Sequence, residues 1–227
     1  MTRTHLVTGA GSGMGAVLAE RLLERGDSLF LLARSTERAH DLRAELPDAT
    51  VLVADLADVA AVEAVADQLP DALDSVVHAA GVVELGPLGE LTSADWQSQL
   101  AVNLVAPAVL TRLCLPALRS ARGTVVFVNS GAGLVAHPRW SAYAASKFGL
   151  RALADSLRAE EQEHGVRVTT VHPGRTATPM QQKVHQQEGR EYDASDWIDP
   201  DTVVNAILHV LDLPDDATVS ELTIRPR

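Results

Sequence analysis

The sequence predicts an α/β protein: a doubly wound, seven-stranded parallel sheet flanked by helices, in a single domain over residues 1–227. Three observations lead there. Short apolar runs bounded by turn residues alternate with longer segments whose apolar residues recur every three or four positions, as happens when helices cover both faces of a parallel sheet. The first run feeds a glycine-rich turn that opens a helical segment. A chain of 227 residues with 46% hydrophobic content can also bury one sizeable core within the usual length of one domain.

The elements follow in order. His5 to Thr8 is the first strand, and Met14 to Glu24 the helix after the glycine turn. Ser28 to Ala33 precedes the helix Glu37 to Leu46, and Thr50 to Ala54 precedes Val59 to Leu69. Ser75 to Ala79 leads to the long helix Ala94 to Leu118. Thr124 to Asn129 leads to Ala142 to His164. Val166 to Val171 and Val219 to Ile224 are the last two strands, with the helix Pro200 to Leu211 between them. Gln181 to Trp197 is polar and without a helical period, so a lid or binding loop is expected at about residues 178–197.

A formal net charge of −11 and a pI near 5.1 disfavour a nucleic-acid groove or a polybasic membrane patch, both of which need excess Lys and Arg. The one cysteine, Cys114, cannot form an internal disulfide. Its neighbours Leu113 and Leu115 mark it as a core thiol. No Cys/His cluster has zinc spacing, so no metal is expected, and the composition fits a reducing compartment. Met1 to His5 run directly into the first strand, leaving no room for a signal peptide, and no continuous run of about 18 apolar residues is present. A cytoplasmic location is expected.

The turn reads Thr8-Gly9-Ala10-Gly11-Ser12-Gly13-Met14-Gly15, with a strand before it and a helix after. Glycines allow a tight turn and close backbone approach to a pyrophosphate, which the N–H groups and dipole of the helix N-terminus then hold. This is the dinucleotide-binding context of a Rossmann-type fold. Such folds usually carry an acid about 20 positions on, for the ribose 2′-hydroxyl. Here Leu31-Leu32-Ala33-Arg34-Ser35 instead places Arg34 21 residues after Gly13. A guanidinium suits a 2′-phosphate, which favours NADP, with NAD as the alternative.

In Tyr143-Ala144-Ala145-Ser146-Lys147 the tyrosine and lysine are four apart, on one face of a helix. A nearby ammonium and the positive ring of an oxidised nicotinamide are expected to favour the phenolate and make Tyr143 an acid/base. Ser130, thirteen residues earlier, ends the fifth strand, where ligands of open α/β sheets bind. Its hydroxyl suits a substrate carbonyl oxygen. Asn129 points to the other face if strand alternation holds.

With these residues in place the chain resembles the short-chain dehydrogenase/reductase family over essentially its whole length. The nucleotide pattern TGxxxGxG is met by Thr8, Gly9, Gly13 and Gly15, and the catalytic serine, tyrosine and lysine fall on Ser130, Tyr143 and Lys147. The resemblance implies a fourth catalytic residue, Asn103, ordering a water on a proton relay through the lysine. It implies that Lys147 binds the nicotinamide ribose and lowers the tyrosine pKa. It places the dinucleotide on Gly9, Ser12, Gly13, Met14, Gly15, Arg34, Ser35, Asp55, Leu56, Ala79, Gly81, Tyr143, Lys147, Pro173, Gly174, Thr176 and Thr178. The implied activity is NADP(H)-dependent interconversion of a carbonyl and a secondary alcohol, on a hydroxy acid or small ketone. A dinucleotide-binding redox sensor or scaffold without turnover is the other reading.

Two positions depart from the family. Its Asn-Asn-Ala-Gly is His78-Ala79-Ala80-Gly81 here, and Thr176 stands where a branched apolar residue is usual. His78 reads as a buried structural histidine rather than a ligand or base. Met180, Val184, Tyr192 and Trp197 are candidate substrate-wall residues, with His137, Arg139 and Trp140 opposite. Arg139 or Arg175 is a candidate for a substrate carboxylate. The last segment is similar to a subgroup that includes NADP-dependent 3-hydroxy acid dehydrogenases. The family associates through the helices carrying Asn103 and Tyr143, so a homodimer is expected, with a homotetramer as the alternative.

Overall fold

The computed structural model describes residues 2–227. Seven strands form one parallel sheet in the order β3-β2-β1-β4-β5-β6-β7: β1 Thr4–Thr8, β2 Ser28–Ala33, β3 Thr50–Val53, β4 Ser75–His78, β5 Thr124–Val128, β6 Arg167–Pro173 and β7 Glu221–Ile224. The order reverses between β1 and β4, which pair Thr8 with His78 at their carboxyl ends. Such a reversal opens a crevice where ligands bind.

Helices cover both faces. On one lie α1 (Gly13–Glu24), α2 (Thr36–Glu45) and α8 (Pro200–Leu211), packing Leu18, Leu22, Leu42 and Ile207 against Val7, Leu31 and Val126. On the other lie α3 (Val59–Glu63), α4 (Ser93–Leu100), α5 (Ala106–Ala121) and α6 (Ser141–Glu160), whose Leu110, Leu118 and Leu150 meet Leu6, Val76 and Phe127. The alternation of strand residues between the two clusters follows from a pleat with apolar side chains on both sides.

The helices differ from expectation in three places. Val59 to Leu69 is one short helix followed by a 3-10 turn at Ala66–Gln68. The long fourth helix contains a π turn, Ala101–Val105, joining α4 to α5. The polar loop contains a helix, α7, Pro179–Glu188. Thr178 caps it, Pro179 supplies the preset φ of its first position, and Gly189 ends it at φ +67°. Its inner face is Gln181, Val184 and His185, so polar side chains occupy the positions that a hydrophobic period would mark.

Ser93–Ala121 is long and apolar enough to cross a membrane by length and composition, which a search for unbroken apolar runs overlooks. Its stripe of Ala106, Leu110, Cys114 and Leu118 is buried in the second cluster. Burial there pushes the Cys114 thiol up to about 12, so it is not a nucleophile. His78 is also structural: it stacks on Phe127 at 5.1 Å, its Nε2 lies 2.8 Å from Thr111 Oγ1, and burial pulls it down to about 3. It is neutral and enclosed.

Candidate active site

At the carboxyl end of β1 the chain turns through backbone that has no room for side chains. Gly9 has φ +77°, and a Cβ there would lie 2.7 Å from Ala80 N. A Cβ on Gly15 would strike Gly9 O. Ser12, the cap position of α1, makes no side-chain cap hydrogen bond, and the first turn holds no acid. The helix therefore begins with unengaged N–H groups and its positive dipole end facing the crevice, a cradle for phosphate. The glycine set fits a dinucleotide on steric grounds.

Beyond β5 and β4 lies a cavity of about 400 Å³ whose wall includes Met14, Gly81, Ser130, Tyr143, Lys147 and Thr178. Ala79, Pro173, Gly174 and Thr176 also face it. The sequence-predicted catalytic serine, tyrosine and lysine thus come together. Ser130 Oγ accepts from Ala132 N at 3.1 Å, and its hydroxyl pulls the Tyr143 phenol downward. Lys147 Nζ donates to Val128 O at 3.1 Å and stands 5.8 Å from the Tyr143 ring centre. Trp140 packs edge-on against Tyr143 at 5.7 Å.

The electrostatics of the site follow from its burial. Burial raises Tyr143 to about 12, outweighing Ser130, and burial lowers Lys147 to about 8. In the protein alone the phenol is a proton donor. Enclosure by Trp140, Val83 and Ala132 disfavours the phenolate more than the Ser130 hydroxyl favours it.

Asn103 lies in the π turn, buried beside the site. Its side chain points inward, where Oδ1 accepts from Val82 N at 2.8 Å and Nδ2 donates to Val82 O and Ser146 Oγ. These contacts commit the side-chain amide to holding the Gly81–Val82 segment in place. Asn129, expected on the other face, also borders the cavity; its Nδ2 donates to Lys147 O at 3.0 Å and ties α6 to β5.

Sequence reasoning overlooked two residues. His172 is fully buried on β6, and its Nδ1 donates to Ser130 O at 3.2 Å, steadying the serine from behind. Arg38 Nη2 donates to Gly11 O at 2.9 Å and to Glu45, so it lies along the glycine turn while Nη1 donates to Glu45 and Asp41. The available signal was a second arginine in the first turn of the helix that follows Arg34.

Arg34, Ser35, Asp55 and Leu56 lie outside the cavity, past the carboxyl ends of β2 and β3. Arg34 is exposed with no side-chain hydrogen bond or ion pair among the described residues. Ser35 caps α2 by accepting from Arg38 N, and Asp55 accepts from Ala57 N. Thr176 forms an isolated bridge to Ile198, which closes the base of the lid. Thr178 caps α7. Met180 and Val184 line the cavity as expected. Tyr192 and Trp197 do not: they pack on His185 instead, with their rings 5.3 and 5.1 Å from its own. Arg175 forms a double hydrogen bond with Glu188 and lies over Trp197.

Comparison with known proteins agrees with this geometry. A family model described as short chain dehydrogenase matches residues 3–189. The D-threitol dehydrogenase of Mycolicibacterium smegmatis is 36% identical over 193 residues, covering 80% of this chain and 73% of that protein. Sulfoacetaldehyde reductase 2 of Chromohalobacter salexigens is 32% identical over 242 residues, covering 100% of this chain and 95% of that protein. A metagenomic short-chain oxidoreductase solved in complex with NADP is 30% identical with a TM-score of 0.83, covering 99% of this chain and 97% of the other.

Proposed function

The chain belongs to the short chain dehydrogenase family, oxidoreductases that interconvert carbonyl and alcohol groups, and from that premise we propose an NADP(H)-dependent enzyme with Tyr143 as acid/base. One observation carries the reading: Ser130, Tyr143 and Lys147 meet in a single cavity that the bare glycine turn adjoins. A dinucleotide-binding sensor without turnover leaves that convergence unexplained.

When bound, the dinucleotide supplies or accepts hydride and, oxidised, brings a positive ring. The backbone of Gly9, Ser12, Gly13, Met14 and Gly15 would hold its pyrophosphate, and Asp55, Leu56, Ala79 and Gly81 its adenosine side. Lys147, Pro173, Gly174, Thr176 and Thr178 would hold the nicotinamide end. Ser130 steadies the substrate oxygen while Tyr143, a proton donor in the resting protein, gives its proton to it. In the oxidative direction Tyr143 must take that proton, which needs added positive charge beside the phenol to offset its burial.

NADP preference is supported by Arg34, unpartnered among the described residues, and by Arg38 alongside at Gly11. The other polar group there, Ser35, would join Arg34 at the 2′-phosphate. Arg34→Asp is expected to raise KM for NADPH at least tenfold and to spare NADH; an unchanged ratio of the two would sink the assignment of the preference to Arg34. A hydroxy acid or small ketone is the proposed substrate class. A screen of ketones, alcohols and hydroxy acids with NADPH and NADP tests the activity, and turnover that persists in Tyr143→Phe would argue against the assignment.

Residues 1–227 would act as one catalytic domain. Association through the π-turn helix and α6 is supported by Val105 and Phe148, large apolar residues exposed on them. Light scattering is expected to give a homodimer.

A further inference from the structure

A second cavity, of about 630 Å³, adjoins the first and shares His137, Trp140 and Arg175 with it. Its charge is unlike that of the chain as a whole. The protein carries a net −11, yet this wall presents Arg139, Arg175 and Arg190 against one carboxylate, Glu188. Arg175 and Glu188 satisfy each other through a double hydrogen bond, and Arg190 reaches Glu188 only at 3.9 Å. Glu84, next to the lining residue Leu85, is held by Lys183 and Gln187. Arg139 has no side-chain partner among the described residues. The cavity therefore keeps an excess of positive charge.

Arg139 is also unusual in its backbone. It adopts φ +72°, a conformation that favours glycine, and its carbonyl accepts from Gly86 N at 2.9 Å. The other non-glycine residue in this region, Arg122, ends α5 in the ordinary left-handed cap. Arg139 terminates no helix. It instead immediately precedes Trp140, the residue that packs on Tyr143.

We infer that the second cavity binds an oxyanion, a carboxylate or sulfonate, carried by the same substrate whose carbonyl meets Tyr143, with Arg139 as its main contact and Arg190 as the second. Guanidinium groups match such anions by paired, charge-assisted hydrogen bonds. The local field also draws an anion toward an otherwise acidic protein. This deepens the proposed function and rests on it for the carbonyl end of the substrate. The enzyme then prefers keto acids or sulfonated carbonyl compounds to neutral ketones.

The test compares pyruvate, acetoacetate and levulinate with their methyl esters, using NADPH. At the chain length that spans from Tyr143 to Arg139, kcat/KM for the acid is expected to exceed that of the ester at least tenfold and to fall with added salt. Arg139→Gln should collapse this preference mainly through KM. Arg139→Gly should do the same while the melting temperature holds or rises, since glycine suits the backbone; a purely structural arginine would instead lower it. Esters turned over as well as acids at every length, or a preference intact in Arg139→Gln, overturns the inference. If neither acid nor ester is reduced, the reductase reading fails, and the anion site is then decided by binding alone. Tryptophan fluorescence of Tyr143→Phe protein should respond saturably to a keto acid and not to its ester, and Arg139→Gln should remove the response. An equal response to both, or none, rejects the site.

Discussion

The two ends of the sheet carry similar residue types and opposite designs. At the amino ends of β1 and β4, His5 Nδ1 lies 2.8 Å from Ser75 Oγ and Nε2 lies 3.3 Å from Asp27 Oδ2. Those are the residue types of a hydrolytic triad, yet His5 and Ser75 are buried, Asp27 also accepts from Arg3 N, and neighbouring Asp74 accepts from Thr4 N. The cluster is a clasp. At the carboxyl ends, Ser130, Tyr143 and Lys147 face a cavity. The helix starts differ in the same sense. Ser35, Asp58, Thr92 and Asp199 cap α2, α3, α4 and α8 away from the cavity; of the three helices that begin on it, α1 and α6 have no side-chain cap and only α7 is capped, by Thr178. Chemistry here follows from what is left open, and stability from what is closed.

The largest expected contrast is Lys147→Met. Turnover should fall roughly a hundred- to ten-thousandfold, the usual range for a lost acid/base contribution. Stability should hold or rise, because a buried cation is replaced by a side chain of similar length that carries no desolvation cost. Parallel assays and denaturant melts read both; a fall in stability with activity retained would erase the distinction between the two ends.

Acid should act through the closed parts. His5 is held below its ordinary value chiefly by burial, against the pull of Asp27, and burial takes His78 to about 3. Both bind fewer protons folded than unfolded, so their contribution is complete above about pH 6.5 and drains away as pH falls from there towards 3. His78→Leu should flatten that decline. Melts at pH 7, 5 and 4 compare the slopes.

Asp27→Ala should cost about 1–3 kcal/mol of stability by leaving His5 and the Arg3 N–H without their acceptor. Steady-state kinetics should show kcat and KM unchanged. A change in either would mean that the clasp communicates with the cavity.

The smallest effect is expected at His172, which touches the site only through Ser130 O. His172→Asn should lower kcat by roughly tenfold, as slight misplacement of a reacting group does. KM should hardly move.

Much of this contrast was legible in the sequence. The strands announced themselves as apolar runs between turns, and the glycine turn stood between a strand and a helix. Tyr143 and Lys147 lay one helical step apart, with Ser130 ending a strand. What was hidden depends on packing. Helix α7 shows Gln181 and His185 to the interior, so hydrophobic period failed, although Thr178-Pro179 and Gly189 bracketed it. Tyr192 and Trp197 read as substrate walls in sequence, yet both pack on His185 and neither lines the cavity. The upward shift of Tyr143 is a matter of enclosure, which no spacing along the chain records. His172 precedes Pro173 without any local mark of its contact with Ser130.

The most direct test of the account pairs NADPH binding with NADPH oxidation in the intact protein and in Tyr143→Phe, using the keto acid or ketone that the intact enzyme turns over best. The account predicts equal NADPH affinity in the two proteins and turnover at least a thousandfold lower in the variant. Undiminished turnover in Tyr143→Phe, or no NADPH binding by the intact protein, would contradict it.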